Sequence, residues 1–315
     1  MRRFWTLACS AAREALAEPL SAVVFLVALL TIHVAPVFHY HQFGEAGRLA
    51  RECGFSALLV FGLVFATAAA MRAVGGEIAS GTAAVALARP VPRPLFFCAK
   101  IAGVVGAYAI FWAAVAAATV LATYASAEGA RRAAACCEAG GVAARIWRPG
   151  LALGTCLTLG GFALAALANR FAAVRFCGAA CAWTALAQPL ALAAALPFGP
   201  DGAGATFRAL PWAIVPALAV LACGCTVFVV LAGALAVALR PAPTVALVAA
   251  AALSSFVWPV TGLLPALGRF WLVDGLAARQ AVAWGEALWA VGAAVCLTAF
   301  WLVAGAACLQ RRELP

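Results

Sequence analysis

The chain has 315 residues, of which 67% are hydrophobic and only 10% charged, and its mean hydropathy is +1.05. A soluble domain carries roughly 25% charged and about 45–50% apolar residues, so this composition excludes a water-soluble fold and a disordered chain and leaves a polytopic membrane protein. The excess of 21 basic over 11 acidic residues would suggest nucleic acid in a soluble chain; here basic residues belong in loops that orient the spans, the partner is the lipid bilayer, and no nucleic acid is expected.

Residues 1–18 carry Arg2, Arg3, Arg13, Glu14 and Glu18 among Phe4, Trp5, Leu7 and Leu16. The first apolar run starts only at Pro19, too late for a signal peptide. The stretch is predicted to be an interfacial amphipathic helix with Arg13 anchoring it at the membrane surface. Eight apolar segments follow, near Leu20–Phe38, Gly54–Val74, Phe97–Tyr124, Leu151–Ala168, Val174–Leu196, Trp212–Leu239, Val245–Leu264 and Ala287–Leu309. Most are apolar all the way round, as lipid-embedded helices are. The fold class is all-α: a transmembrane bundle of about eight spans, between six and eight. The weakest span is the seventh, which Pro259 and Pro265 interrupt, and it could be a re-entrant hairpin.

Placing both termini in the cytoplasm puts twelve of the 21 basic residues inside: Arg2, Arg3, Arg13, Arg72, Arg89, Arg93, Lys100, Arg170, Arg175, Arg240, Arg311 and Arg312. Glu14, Glu18, Glu77 and Glu313 fall on the same side, and the direction of the bias follows the positive-inside rule. Residues 125–149 contain Glu128, Arg131, Arg132, Glu138, Arg145 and Arg148, too polar to span, and are predicted to form an extracytoplasmic loop with a surface-lying helix. Residues 197–211 are rich in Gly and Pro and read as a loop. Small residues such as Gly154, Gly160 and Gly161 allow close helix approach, though a general Ala and Gly bias accounts for them equally well.

Several chemistries are excluded. The single lysine, Lys100, follows Ala99, so no Gly-Lys-Ser/Thr phosphate loop exists. A His-Glu-x-x-His zinc motif and a Gly-x-Ser-x-Gly nucleophile elbow are also missing. Almost no ionisable residue lies in mid-span, which disfavours a proton-coupled carrier or a voltage sensor. His33, His39 and His41 could bind a transition metal, but they read more simply as polar residues where the first span leaves the membrane, and no metal is expected. The twelve cysteines read mainly as small packing residues, although Cys53, Cys136 and Cys137 fall on the outer side, where a disulfide is permitted.

The most informative stretch lies between the second and third spans, at residues 75–96. Gly75 and Gly76 are expected to break the helix. Glu77 to Leu87 then reads as a short cytoplasmic helix with its acid at the favoured N-terminus. Pro90, Pro92 and Pro94 stop it and stiffen the return. Arg93 and Lys100 are expected to hold the third span at headgroup level.

The pattern Glu77-x3-Gly81-Thr82, Leu87-x2-Pro90-Val91-Pro92-Arg93 and Lys100 resembles the cytoplasmic coupling segment of ABC-2 type ABC transporter permeases. The stretch Arg13-Glu14-x3-Glu18-Pro19-Leu20 is similar to that family's interfacial helix, and Leu309-Gln310-Arg311-Arg312-Glu313-Leu314 to its basic tail. The resemblance covers the first ~120 residues and the C-terminal end. The family's common core has six spans where this chain has about eight. Permeases linked to multicopper-enzyme maturation look alike in keeping the permease on a chain separate from its ATPase. The resemblance implies an exporter permease in the inner (plasma) membrane, with no ATPase site and no cofactor of its own. ATP and Mg would sit on a nucleotide-binding subunit, and a second permease, a copy or a paralogue, would complete a dimer. Glu77, Gly81, Thr82, Leu87, Pro90 and Arg93 would be the coupling residues. The alternatives are a membrane assembly or anchoring factor for an extracytoplasmic enzyme, and a secondary carrier.

Overall fold

The computed structural model describes residues 2–37, 47–83, 91–138, 148–195, 210–257, 264–273, 276 and 284–312, the side chains of 127–138, 148–150 and 257 excepted. Regular structure among them is entirely helical. Long apolar runs force this outcome, because in lipid each backbone N–H and C=O must find its partner within its own segment. Nine helices follow in chain order: α1 Arg2–Ala17, α2 Pro19–Val34, α3 Arg48–Ala79, α4 Arg93–Glu138, α5 Arg148–Ala172, α6 Phe176–Ala195, α7 Ile214–Ala238, α8 Pro241–Val257 and α9 Trp284–Arg311. Six of these, α3 to α7 and α9, are long and apolar enough to cross a membrane. The α1–α2 pair, bent by 66° at Glu18, qualifies as a seventh if taken together, and α8 is a shorter apolar helix. The eight expected apolar segments therefore each coincide with a helix, and the chain is a multi-pass helical bundle.

The bundle is organised around α4 and α7. Helix α7 is apolar on every face and mostly buried. Helix α4 packs against α1, α2, α3, α6, α7 and α9. Phe25 of α2, Phe65 of α3 and Phe111 of α4 meet with ring centroids 5.1–6.0 Å apart. Such pairs each contribute about 0.5–1.5 kcal/mol beyond simple burial. Small residues set the closest approaches, as expected where lipid supplies no hydrophobic drive between helices. The amphipathic α1 turns Ala8, Ala11 and Ala15 inward at helical spacing, and Trp5 outward at 64% exposure. Its buried face rests on Gly103 of α4, where a Cβ would lie 2.2 Å from the Ala8 carbonyl oxygen.

Three expectations need correction. Gly75 and Gly76 do not break α3; they lie in a π-helical turn, Met71–Gly76, and the helix runs on to Ala79. Gly75 is there a packing residue, since a Cβ would sit 3.3 Å from the Ala236 side chain. Residues 125–138 are not a loop with a separate surface helix but the continuation of α4; the stretch is alanine-rich and holds no proline, so nothing stops the helix. Glu77 to Leu87 is not one short helix, because the backbone leaves the helix at Ser80 and Gly81. Leu87 and Pro90 lie outside the described residues.

Replacing Gly103 with Leu should cost about 1–3 kcal/mol through overpacking against α1, read as a lower thermal midpoint in detergent. Gly106→Leu, at a position with nothing within 4 Å, should leave the midpoint nearly unchanged.

Candidate functional site

Glu77, Gly81, Thr82, Arg93 and Lys100, singled out from the sequence, lie at one end of the bundle. Helix α3 ends in a glycine-type cap. Gly81 is left-handed at φ 72°, a conformation that costs other residues roughly 1–2 kcal/mol. The amide of Gly81 donates to the Ile78 carbonyl at 3.3 Å, and that of Ser80 to Gly76 at 3.0 Å. The Thr82 hydroxyl donates back to the Glu77 carbonyl at 3.3 Å and bonds the Ser80 hydroxyl at 2.8 Å. The Gly-Thr pair thus ends the helix and closes a tight exposed tip. Beneath it Ile78 and Ala83 are buried with Val74, Phe96, Phe97 and Leu309.

The tip is tied down by charge. Lys100, in the second turn of α4, is only 3% exposed. Its ammonium pairs with the Glu77 carboxylate and lies 3.4 Å from that of Glu14 on α1. The Phe96 ring lies 5.9 Å from Nζ, within cation–π range. Lys100 is therefore not a headgroup anchor but a buried cation, and Glu77 reaches inward to it. The reason is the elbow of α1, which covers the side of α4 that would otherwise face the interface. A second ion pair, Glu18 with Arg72, joins the α1–α2 elbow to the π turn. Glu14 is 54% exposed and Glu77 22%, so solvent reaches the carboxylates far better than the amine.

Arg93 works at the opposite corner. It donates to the carbonyls of Leu309, Gln310 and Arg312 at 3.4, 2.9 and 3.0 Å. It caps the C-terminal end of α9, where orphan carbonyls and the helix dipole both favour a cation. Arg93 and the C-terminal basic stretch, singled out separately in the sequence, are thus in contact. Arg13 is exposed on α1.

His33 is not interfacial. It is 1% exposed, packed on Gly154, and its Nε2–H donates to Gln188 Oε1 at 2.9 Å. Gln188 donates in turn to Thr158 at 2.8 Å, and Thr158 to the Gly154 carbonyl at 2.8 Å. This chain of bonds staples α2, α5 and α6 together. His39 and His41 lie outside the described residues. Among the described residues no group of three or more His, Cys, Asp or Glu could hold a metal ion, and the ten cysteines whose side chains are described are unpaired thiols. Sequence reasoning missed the inward role of Lys100 and the Gln188–Thr158 bridge. Gln188 was legible as the one amide inside an apolar run, and its partners were not.

Compared with protein-family models, with curated proteins and with solved structures, the chain shows no match.

A double-mutant cycle should reveal the buried cation. Glu77→Leu leaves the ammonium with the more exposed Glu14 as its one carboxylate and should cost about 3 kcal/mol. Lys100→Met leaves only carboxylates that water can reach and should cost about 1 kcal/mol. The double variant should be more stable than Glu77→Leu alone, measured by denaturant titration in detergent.

Proposed function

We propose that this chain is the membrane-spanning permease subunit of an ABC exporter in the plasma membrane, with ATP hydrolysed by a separate nucleotide-binding subunit. The observation that carries this reading is the clamp on the exposed Gly81–Thr82 tip. A load applied at that tip passes through Glu77 and Lys100 to α4 and α1, through the π turn to the body of α3, and through Arg93 to α9. An ordinary loop between two spans needs no such bracing. A segment that receives motion from a soluble partner does, because slack at the contact would dissipate the displacement before it reached the spans.

The family resemblance supports the same assignment, with the tip seated in a groove of the ATPase. Gly81 keeps the contact low in profile, and Ser80 and Thr82 are exposed polar side chains of the turn. The inner ends of the spans would then be moved apart and together as the ATPase pair closes on ATP and reopens. A second permease, identical or related, completes the assembly. The positive-inside bias supports a cytosolic tip.

The test is co-expression with a P-loop ATPase subunit from the source genome, sought first in the adjoining reading frames. Thr82→Trp should reduce ATPase co-purification about tenfold while membrane insertion stays intact, as expected for loss of a central interface contact. Arg48→Gln, at the other end of α3, should leave co-purification unchanged. Undiminished capture by the Thr82 variant would count against the assignment and favour a membrane anchoring role.

A further inference from the structure

A cavity of about 1020 Å³ lies between the start of α2, the end of α3, the end of α7 and the start of α8. This is at the large end of the range for small-molecule sites. Its walls are largely apolar, with Leu20, Met71 and Leu239 among the lining residues. Its charge is one-sided: Arg72, Arg240 and Arg312 against the single carboxylate of Glu18. Glu18 is already engaged with Arg72. Among the described residues the guanidinium groups of Arg240 and Arg312 have no carboxylate partner.

Snorkelling would account for arginines at a membrane surface, but it does not account for a chamber behind them. Two guanidiniums that line an apolar chamber and have no carboxylate partner among the described residues ask for an anion attached to an apolar body. Free phosphate would answer the charges and leave the walls wet. A neutral lipid would fill the walls and leave the charges unmet. Guanidinium suits phosphate because its planar fork offers paired N–H donors.

We propose that this cavity is a binding site for an anionic phospholipid from the surrounding leaflet, its phosphate held by Arg240 and Arg312 and an acyl chain laid against Leu20 and Leu239. The site is independent of the permease assignment, because it needs neither an ATPase nor a transported substrate. A lipid bound there would bridge the π turn of α3 and the α7–α8 corner beside the existing Gly75–Ala236 contact.

The experiment is native mass spectrometry of the purified full-length chain. It is titrated separately with phosphatidylglycerol and with phosphatidylcholine of the same acyl chains. The wild-type chain should retain phosphatidylglycerol at least about fivefold better. The double variant Arg240→Gln/Arg312→Gln should fall to the phosphatidylcholine level, and Arg240→Lys/Arg312→Lys, which keeps the charge, should hold at least half of the difference. Ala68→Phe, which fills the chamber and leaves every arginine in place, should also lose the preference. Excess glycerol 3-phosphate should not displace the lipid. Equal retention of the two lipids by the wild type would overturn the proposal, as would a glutamine variant that keeps the preference. Displacement by glycerol 3-phosphate would overturn it too, by showing a phosphate site rather than a lipid site.

Discussion

An ammonium group that is 3% exposed within an apolar bundle must be neutralised where it lies, because the desolvation of an unpaired charge costs more than local packing returns. Lys100 meets that requirement with carboxylates from two other elements, Glu77 at the end of α3 and Glu14 on α1, and with the face of Phe96 on its own helix. The consequence is geometric. Three segments that are remote in sequence are joined at one atom, Nζ. Lysine suits this task because its ammonium is compact and carries three donors that can be aimed separately. It is the only lysine in the chain.

Packing around that atom makes the joint stiff. Ala8 and Ala11 close on Gly103 one turn further along α4, and Ile78, Phe97 and Leu309 fill the space below the tip. The Arg93 cap brings in α9. The N-terminal helix, the tip after α3 and the C-terminal end of α9 therefore form one mechanical unit. The outer face of α9 is apolar. Leu288, Trp289 and Val303 of α9 are each at least 70% exposed, as suits a surface that faces lipid tails.

Much of this was legible in the sequence. Eight apolar segments mark eight helices, because span length and apolarity are local properties that lipid reads without reference to the rest of the chain. The amphipathic α1 was visible for the same reason, whereas the end of α3 was misplaced: it falls at Gly81, inside the expected Glu77–Leu87 helix, and not at Gly75. A π turn depends on what packs beside it, here Ala236, and the sequence of α3 does not contain that neighbour. Lys100 and Glu77 were each marked as important, yet their pairing was hidden. They are 23 residues apart, with no periodicity to link them, and a lysine near the start of a span ordinarily reaches outward. His33 was misjudged in the same way: its burial depends on Gly154 and Gln188, two helices away.

The central claim is that the Gly81–Thr82 tip receives motion from a soluble ATPase and passes it inward through Lys100. Photo-crosslinking tests it most directly: p-benzoylphenylalanine is placed at position 82 in cells of the native source, with position 289 of α9 as the lipid-facing control. The account predicts a single adduct to the ATPase from position 82 and none from position 289. No ATPase adduct from position 82, or labelling of that position by an impermeant reagent from outside intact cells, would contradict it.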